Sequence, residues 1–102
     1  MEKDVISIFK ERVLDIIENQ DAQFIVFGSR GRGDADEFSD YDLLIITPGK
    51  EHGMKEKIEE IEDDLFVTQN VIINSHLFSE KELKELSFEP FIMNALREGI
   101  AA

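Results

Sequence analysis

Apolar residues recur along this chain with two different periods, and the change from one to the other marks out the elements. Val5, Ile8, Phe9, Val13, Ile16 and Ile17 fall at helical spacing, so residues 3–19 are expected to form an amphipathic helix closed by Asn19-Gln20-Asp21. Phe24-Ile25-Val26-Phe27 is an unbroken apolar run ending at Gly28, the pattern of a buried strand. Residues 29–35 suit a turn and the start of a short helix. A second strand is expected from Asp40 to Ile46, broken by Thr47-Pro48-Gly49-Lys50. Residues 53–65 return to helical spacing, with Met54, Ile58, Ile61 and Leu65 as the buried stripe of a heavily charged helix. Val71 to Phe78 reads as a third strand, following Thr68-Gln69-Asn70.

Two further helices close the chain. Ser79-Glu80-Lys81-Glu82 has the form of a capping box with Ser79 as N-cap, so a helix should run on to about Leu86. Pro90 suits the first position of a last helix, with Phe91, Ala95 and Leu96 on one face and Gly99 ending it. The order is helix, strand, turn, strand, helix, strand, helices. It predicts one α/β or α+β domain over residues 1–102, with a small mixed sheet flanked by helices. No internal repeat, linker or low-complexity segment interrupts it.

Composition narrows the function classes. No cysteine is present, which excludes disulfides and thiolate chemistry. No apolar run approaches membrane-spanning length, and Met1-Glu2-Lys3-Asp4 lacks the apolar stretch of a secretory signal. A cytoplasmic protein without a membrane partner is expected. There are 23 acidic and 11 basic residues, a formal charge of -12. Such a surface disfavours non-specific binding to nucleic acid, which needs cations to displace condensed counterions. The acid excess would suit solubility or a basic protein partner.

The chemistry concentrates between the first two strands, in Gly28-Ser29-Arg30-Gly31-Arg32-Gly33-Asp34-Ala35-Asp36-Glu37-Phe38-Ser39-Asp40-Tyr41-Asp42. Asp40 and Asp42 are two apart on a strand and so share a face, with Tyr41 directed into the opposite layer. Two carboxylates on one face repel unless a cation lies between them. Mg²⁺ takes oxygen ligands from one or two carboxylates and completes its shell with substrate phosphates and water. Gly28 lets the backbone turn sharply and approach a phosphate. Ser29 offers a hydroxyl and an N–H to phosphate oxygens. Arg30 and Arg32 are candidate phosphate or partner contacts. Each piece is weak alone; together they point to a site for a nucleoside triphosphate and its magnesium, built for phosphoryl or nucleotidyl transfer.

Gly28-Ser29, ten intervening residues and Asp40-Tyr41-Asp42 resemble the signature of the nucleotidyltransferases of the DNA polymerase beta superfamily. The short chain and its Gly-Ser-Arg-Gly-Arg-Gly-Asp start resemble the minimal nucleotidyltransferase branch. The likeness is strong over residues 24–46 and weaker through 71–78 to the Pro90–Gly99 tail. It implies the polymerase-beta-type fold, Gly28 and Ser29 on the triphosphate, and Asp40 and Asp42 on Mg²⁺ with a catalytic role. It also implies ATP as donor. Many minimal members pair with a HEPN-domain protein in toxin–antitoxin modules and transfer AMP to a tyrosine hydroxyl of the toxin.

The chain departs from the family pattern at one point. The family usually adds a third carboxylate on the next strand, which helps hold a second metal and can take the proton of the attacking hydroxyl. Here that strand, Asn70 to Phe78, has no Asp or Glu. Alternation puts Ile72, Asn74 and His76 on one face. Ile72 or Asn74 is the matching position, and His76 is either a substitute base or a half-exposed structural residue. Asp63 and Asp64 come too early, at the end of the charged helix. Three functions follow: an AMP transferase acting on a HEPN partner, a catalytically weak antitoxin that neutralises by binding, and a small-molecule nucleotidyltransferase. The third ranks last, because so short a chain has little room for an acceptor pocket. Self-association through an apolar sheet face also remains open.

Overall fold

The computed structural model describes residues 4–17, 21–33, 36 and 40–102. Their order is α1 (Val5–Ile16), β1 (Gln23–Phe27), α2 (Gly28–Arg32), β2 (Tyr41–Thr47), α3 (Met54–Gln69), β3 (Ile73–Ser79), α4 (Glu80–Glu85), α5 (Pro90–Glu98) and β4 (Ile100–Ala101). The strands form one mixed sheet in the order β3-β2-β1-β4. β1 runs antiparallel to β2 and β4, while β2 and β3 are parallel with α3 as the crossover between them.

Strand alternation divides the core in two. Phe24, Leu43, Ile45 and Ile73 face α1 and α3, where they meet Phe9, Val13, Ile17, Met54, Ile58, Ile61 and Leu65 in one continuous buried cluster. The opposite face is thinner: Phe27, Leu44 and Ala95 form its buried centre, with Ile25 and Phe78 packed around them. α5 and α4 cover that face only partly, and Phe88, Phe91, Met93 and Leu96 keep large exposed surfaces. Among the described residues no helix is long and apolar enough to cross a membrane.

The expected elements are present, with shifted ends. Asp4 caps α1 by accepting from the Ser7 N–H at 2.9 Å, and Ile17 closes it; the rest of the expected 3–19 span lies outside the described residues. α3 runs past Leu65 to Gln69, because its stop is Asn70. That residue adopts a left-handed conformation and donates its N–H to the Phe66 carbonyl. β3 accordingly begins at Ile73 rather than Val71. Ser79 ends the strand and also caps α4, with both bonds of the predicted capping box in place.

Two features of the C-terminal segment correct the sequence reading. The buried residues of α5 are Ile92 and Ala95, while Phe91 and Leu96 remain half exposed, because α5 seats against β1 and α2 along the Ile92–Ala95 row. After Gly99 the chain adds β4, pairing with Ile25 and Val26 of β1. A two-residue strand has no periodicity to read, so the pattern of apolar positions gave no sign of it.

Candidate active site

The acidic pair sits where β2 begins, on the thinly covered face of the sheet. Asp42 is half buried in β2, paired with Phe27 of β1 on one side and Asn74 of β3 on the other. Asp40 precedes the strand and is exposed. Tyr41, between them, turns to the opposite layer, where it packs on the larger core. Alternation therefore works as the sequence predicts, and it leaves two carboxylates on the side open to solvent.

Gly28, the first residue of α2, follows the end of β1 directly against this pair. Its φ is +69°, and a Cβ built there would lie 2.6 Å from Asp42 Oδ2. A side chain at this position would meet both a conformational penalty and the carboxylate itself. From this turn α2 leads off, with Ser29 half buried in its first turn. Gly31 is fully packed: a Cβ there would come within 2.8 Å of the Val26 carbonyl and 3.2 Å of the Glu98 carbonyl. Its lack of a side chain brings α2 down onto β1 and the end of α5.

The parallel register resolves the position opposite the acids. Asp42 pairs with Asn74, and the Tyr41 N–H donates to the Ile72 carbonyl at 2.9 Å. Asn74, not Ile72, faces the carboxylates. Its Nδ2 donates to Asp40 Oδ2 at 3.3 Å and to Asp42 Oδ1 at 3.4 Å. These are long hydrogen bonds, but together they bridge the pair with the positive end of an amide dipole.

His76 lies one step further along the same face, paired with Leu44. Its ring contacts Phe91 at 5.0 Å and Phe27 at 6.0 Å between centroids, and Phe91 closes the trio edge-on to Phe27 at 5.5 Å. Burial pushes the imidazole below its ordinary range, with the nearby Asp42 charge pulling partly back. His76 thus forms an aromatic flank of the site. A cavity of about 270 Å³ at the outer edge of β3 also has His76 on its wall, alongside Lys50, Lys55, Glu62 and Ser75, away from the acidic pair.

The two loop arginines take other positions. The Arg30 guanidinium stacks 3.8 Å from the Tyr41 ring centre and donates to the Asp36 carbonyl at 3.2 Å. Arg32 pairs with Glu98 at 3.3 Å, tying α2 to α5. Of the loop between them and the acids, Asp34, Ala35, Glu37, Phe38 and Ser39 lie outside the described residues. The structure thus gathers Gly28, Asp40, Asp42 and Asn74, flanks them with His76, and turns Arg30 toward the Tyr41 layer. Phe27 and Phe91, which complete the aromatic flank, carry no chemical signal in the sequence beyond their apolar character.

This donor set suits one kind of ion. Asp40 and Asp42 offer only oxygen ligands and two negative charges, and the missing Cβ at Gly28 keeps the space beside Asp42 clear. A hard divalent cation such as Mg²⁺ fits that chemistry. Among the described residues no group of three acidic, histidine or cysteine side chains converges as a metal site. No curated protein matches this chain. A family model described as a nucleotidyltransferase domain matches residues 3–100. That match covers nearly the whole chain, so the chain belongs to the nucleotidyltransferase domain family, and its four-stranded mixed sheet flanked by helices is consistent with that family's polymerase-beta-type fold.

Proposed function

We propose that the protein transfers AMP from ATP to a hydroxyl of a partner protein, and that the partner is of the HEPN class. Nucleotidyl transfer is the coarser reading and follows from the family match. One observation carries the assignment to this site: the Asp42 carboxylate lies against the side-chain-free Gly28 turn, on the same open face as Asp40. The nucleotide donor, the protein acceptor and the HEPN partner rest on the likeness of Gly28 to Asp42 to the minimal branch. The exposed apolar side chains of α5, Phe91, Met93 and Leu96, support a protein partner.

In this reading Gly28 and Ser29 receive the triphosphate, the first by close backbone approach and the second by its hydroxyl and N–H. Asp40 and Asp42 hold Mg²⁺, which when bound offsets the negative charge of the triphosphate and of the pyrophosphate that departs. The acceptor oxygen bonds to the α-phosphorus, the bond from that phosphorus to the bridging oxygen of pyrophosphate breaks, and the acceptor proton passes to water. Asn74 cannot take that proton, and His76 is turned into its aromatic trio. Positioning and electrostatics therefore carry the rate, and the general-base contribution of about 10²–10⁴-fold is forgone.

Asn74 also favours a second reading, in which the chain silences its partner by tight binding with little transfer. Intact-mass spectrometry of a candidate HEPN protein, incubated with this chain, ATP and Mg²⁺, separates the two. The expected result is the mass of one or more AMP groups, absent with an Asp40→Asn/Asp42→Asn variant. A stable complex with no added mass would replace the first reading by the second.

A further inference from the structure

We infer that Asn74 makes this a one-cation site; the inference rests on the transfer reading above. The register of β2 and β3 fixes Asn74 beside Asp42, and its amide reaches Asp40 as well. It occupies the place on β3 from which a third ligand would serve both carboxylates. A second divalent ion in a two-metal site lies about 3.5–4 Å from the first. Holding two such ions that close needs enough negative charge to offset their mutual repulsion.

Among the described residues the protein brings two negative charges here, from Asp40 and Asp42, and Asn74 brings none, so a second ion would depend on the triphosphate alone for its remaining anionic ligands. No other acidic, histidine or cysteine side chain joins them in a group of three among the described residues. His76, the nearest candidate on β3, has its ring engaged with Phe27 and Phe91. Glu62, the next carboxylate packed against β3, bonds to Ser75, which alternation puts on the opposite face.

The amide also explains how the pair survives without an ion. Two exposed carboxylates on one face repel, and a donor shared between them lowers that repulsion at no cost in net charge. Asn74 therefore holds Asp40 and Asp42 together in the metal-free protein while providing no anion for a second ion.

The test counts bound Mn²⁺ by electron paramagnetic resonance, with the full chain in excess over α,β-methylene-ATP, which cannot transfer its nucleotidyl group. The wild-type complex should bind one Mn²⁺. Asn74→Asp should bind two, with the line broadening of a spin-coupled pair. The neutral Asn74→Ser should stay at one. A coupled pair in the wild type would overturn the inference and leave the transfer reading intact. A count of one in a folded Asn74→Asp would equally overturn it, since Asn74 would not then be what limits the site. If Asn74→Asp fails to fold, the wild-type count and Asn74→Ser decide. No Mn²⁺ on the wild type at all would overturn the site assignment and this inference together.

Discussion

The two faces of the sheet are built from the same strands and differ in almost everything else. Toward α1 and α3 each strand contributes residues to a closed apolar layer, with Phe9, Val13, Leu43 and Ile45 fully removed from water. Toward α4 and α5 the same strands carry Asp42, Asn74 and His76 beside a small patch centred on Phe27, Leu44 and Ala95. The first face gives the molecule its stability. The second uses that stability to hold like charges together in the open. Leu43 and Asp42 are adjacent in the chain and fall on opposite sides of this divide, which shows how finely alternation separates the two tasks.

That adjacency gives the sharpest test. Leu43→Ala should lower stability by about 2–5 kcal/mol, the range for truncating a fully buried leucine, measured by urea unfolding. Asp42→Asn should change stability by no more than about 0.5 kcal/mol while lowering the rate of nucleotidyl transfer by about 10²–10³-fold. If Asp42→Asn proved as destabilising as Leu43→Ala, the division between a structural and a chemical face would fail.

Gly28 sits at the boundary and should show both effects. Forcing an L side chain into its left-handed backbone costs about 1–2 kcal/mol. The new methyl would also displace Asp42, and a displacement near 1 Å costs on the order of 10²-fold in rate. Gly28→Ala is thus expected to lose activity out of proportion to stability. Equal and small effects on both would mean that the turn and the carboxylate are not coupled.

Smaller changes probe the aromatic flank. Phe91 is 45 % exposed, so Phe91→Ala should cost about 1 kcal/mol, well below the loss for a fully buried ring. A larger loss would show that the open face carries more of the fold than its burial suggests.

The smallest effect concerns Glu62, on the closed side. Burial raises its pKa, and the Ser75 hydrogen bonds only partly oppose that. A carboxyl with a raised folded pKa contributes most when protonated. Its contribution is complete below the unfolded pKa and is lost as pH rises through the higher folded value. Glu62→Gln should therefore gain in melting temperature relative to wild type as pH rises from 4 to 7. A difference that stays flat over that range would remove burial as the cause.

Much of this was legible in the residues. The stripe of Met54, Ile58, Ile61 and Leu65 is buried as its spacing predicts, and the capping box at Ser79 forms as written. Such features depend on neighbours within a few positions, so local chemistry decides them. The glycine turn and the acidic pair were equally visible, because side-chain alternation needs only the knowledge that a strand is present.

Other features needed the assembled chain. Whether Ile72 or Asn74 faced the acids depended on the register of β3 against β2, and strands separated by a helical crossover leave that register free until they pair. The stacking of Arg30 on Tyr41 and the pairing of Arg32 with Glu98 join segments whose approach no local pattern encodes. The same holds for β4, which exists only because β1 offers it an edge. The sequence by itself determined the helices, the first three strands, the acidic pair and the turn that shelters it, since these follow from backbone period and residue type. Tertiary structure decided that a neutral amide bridges the acids and that the site lies on the thinner face, because both depend on contacts between residues far apart in the chain.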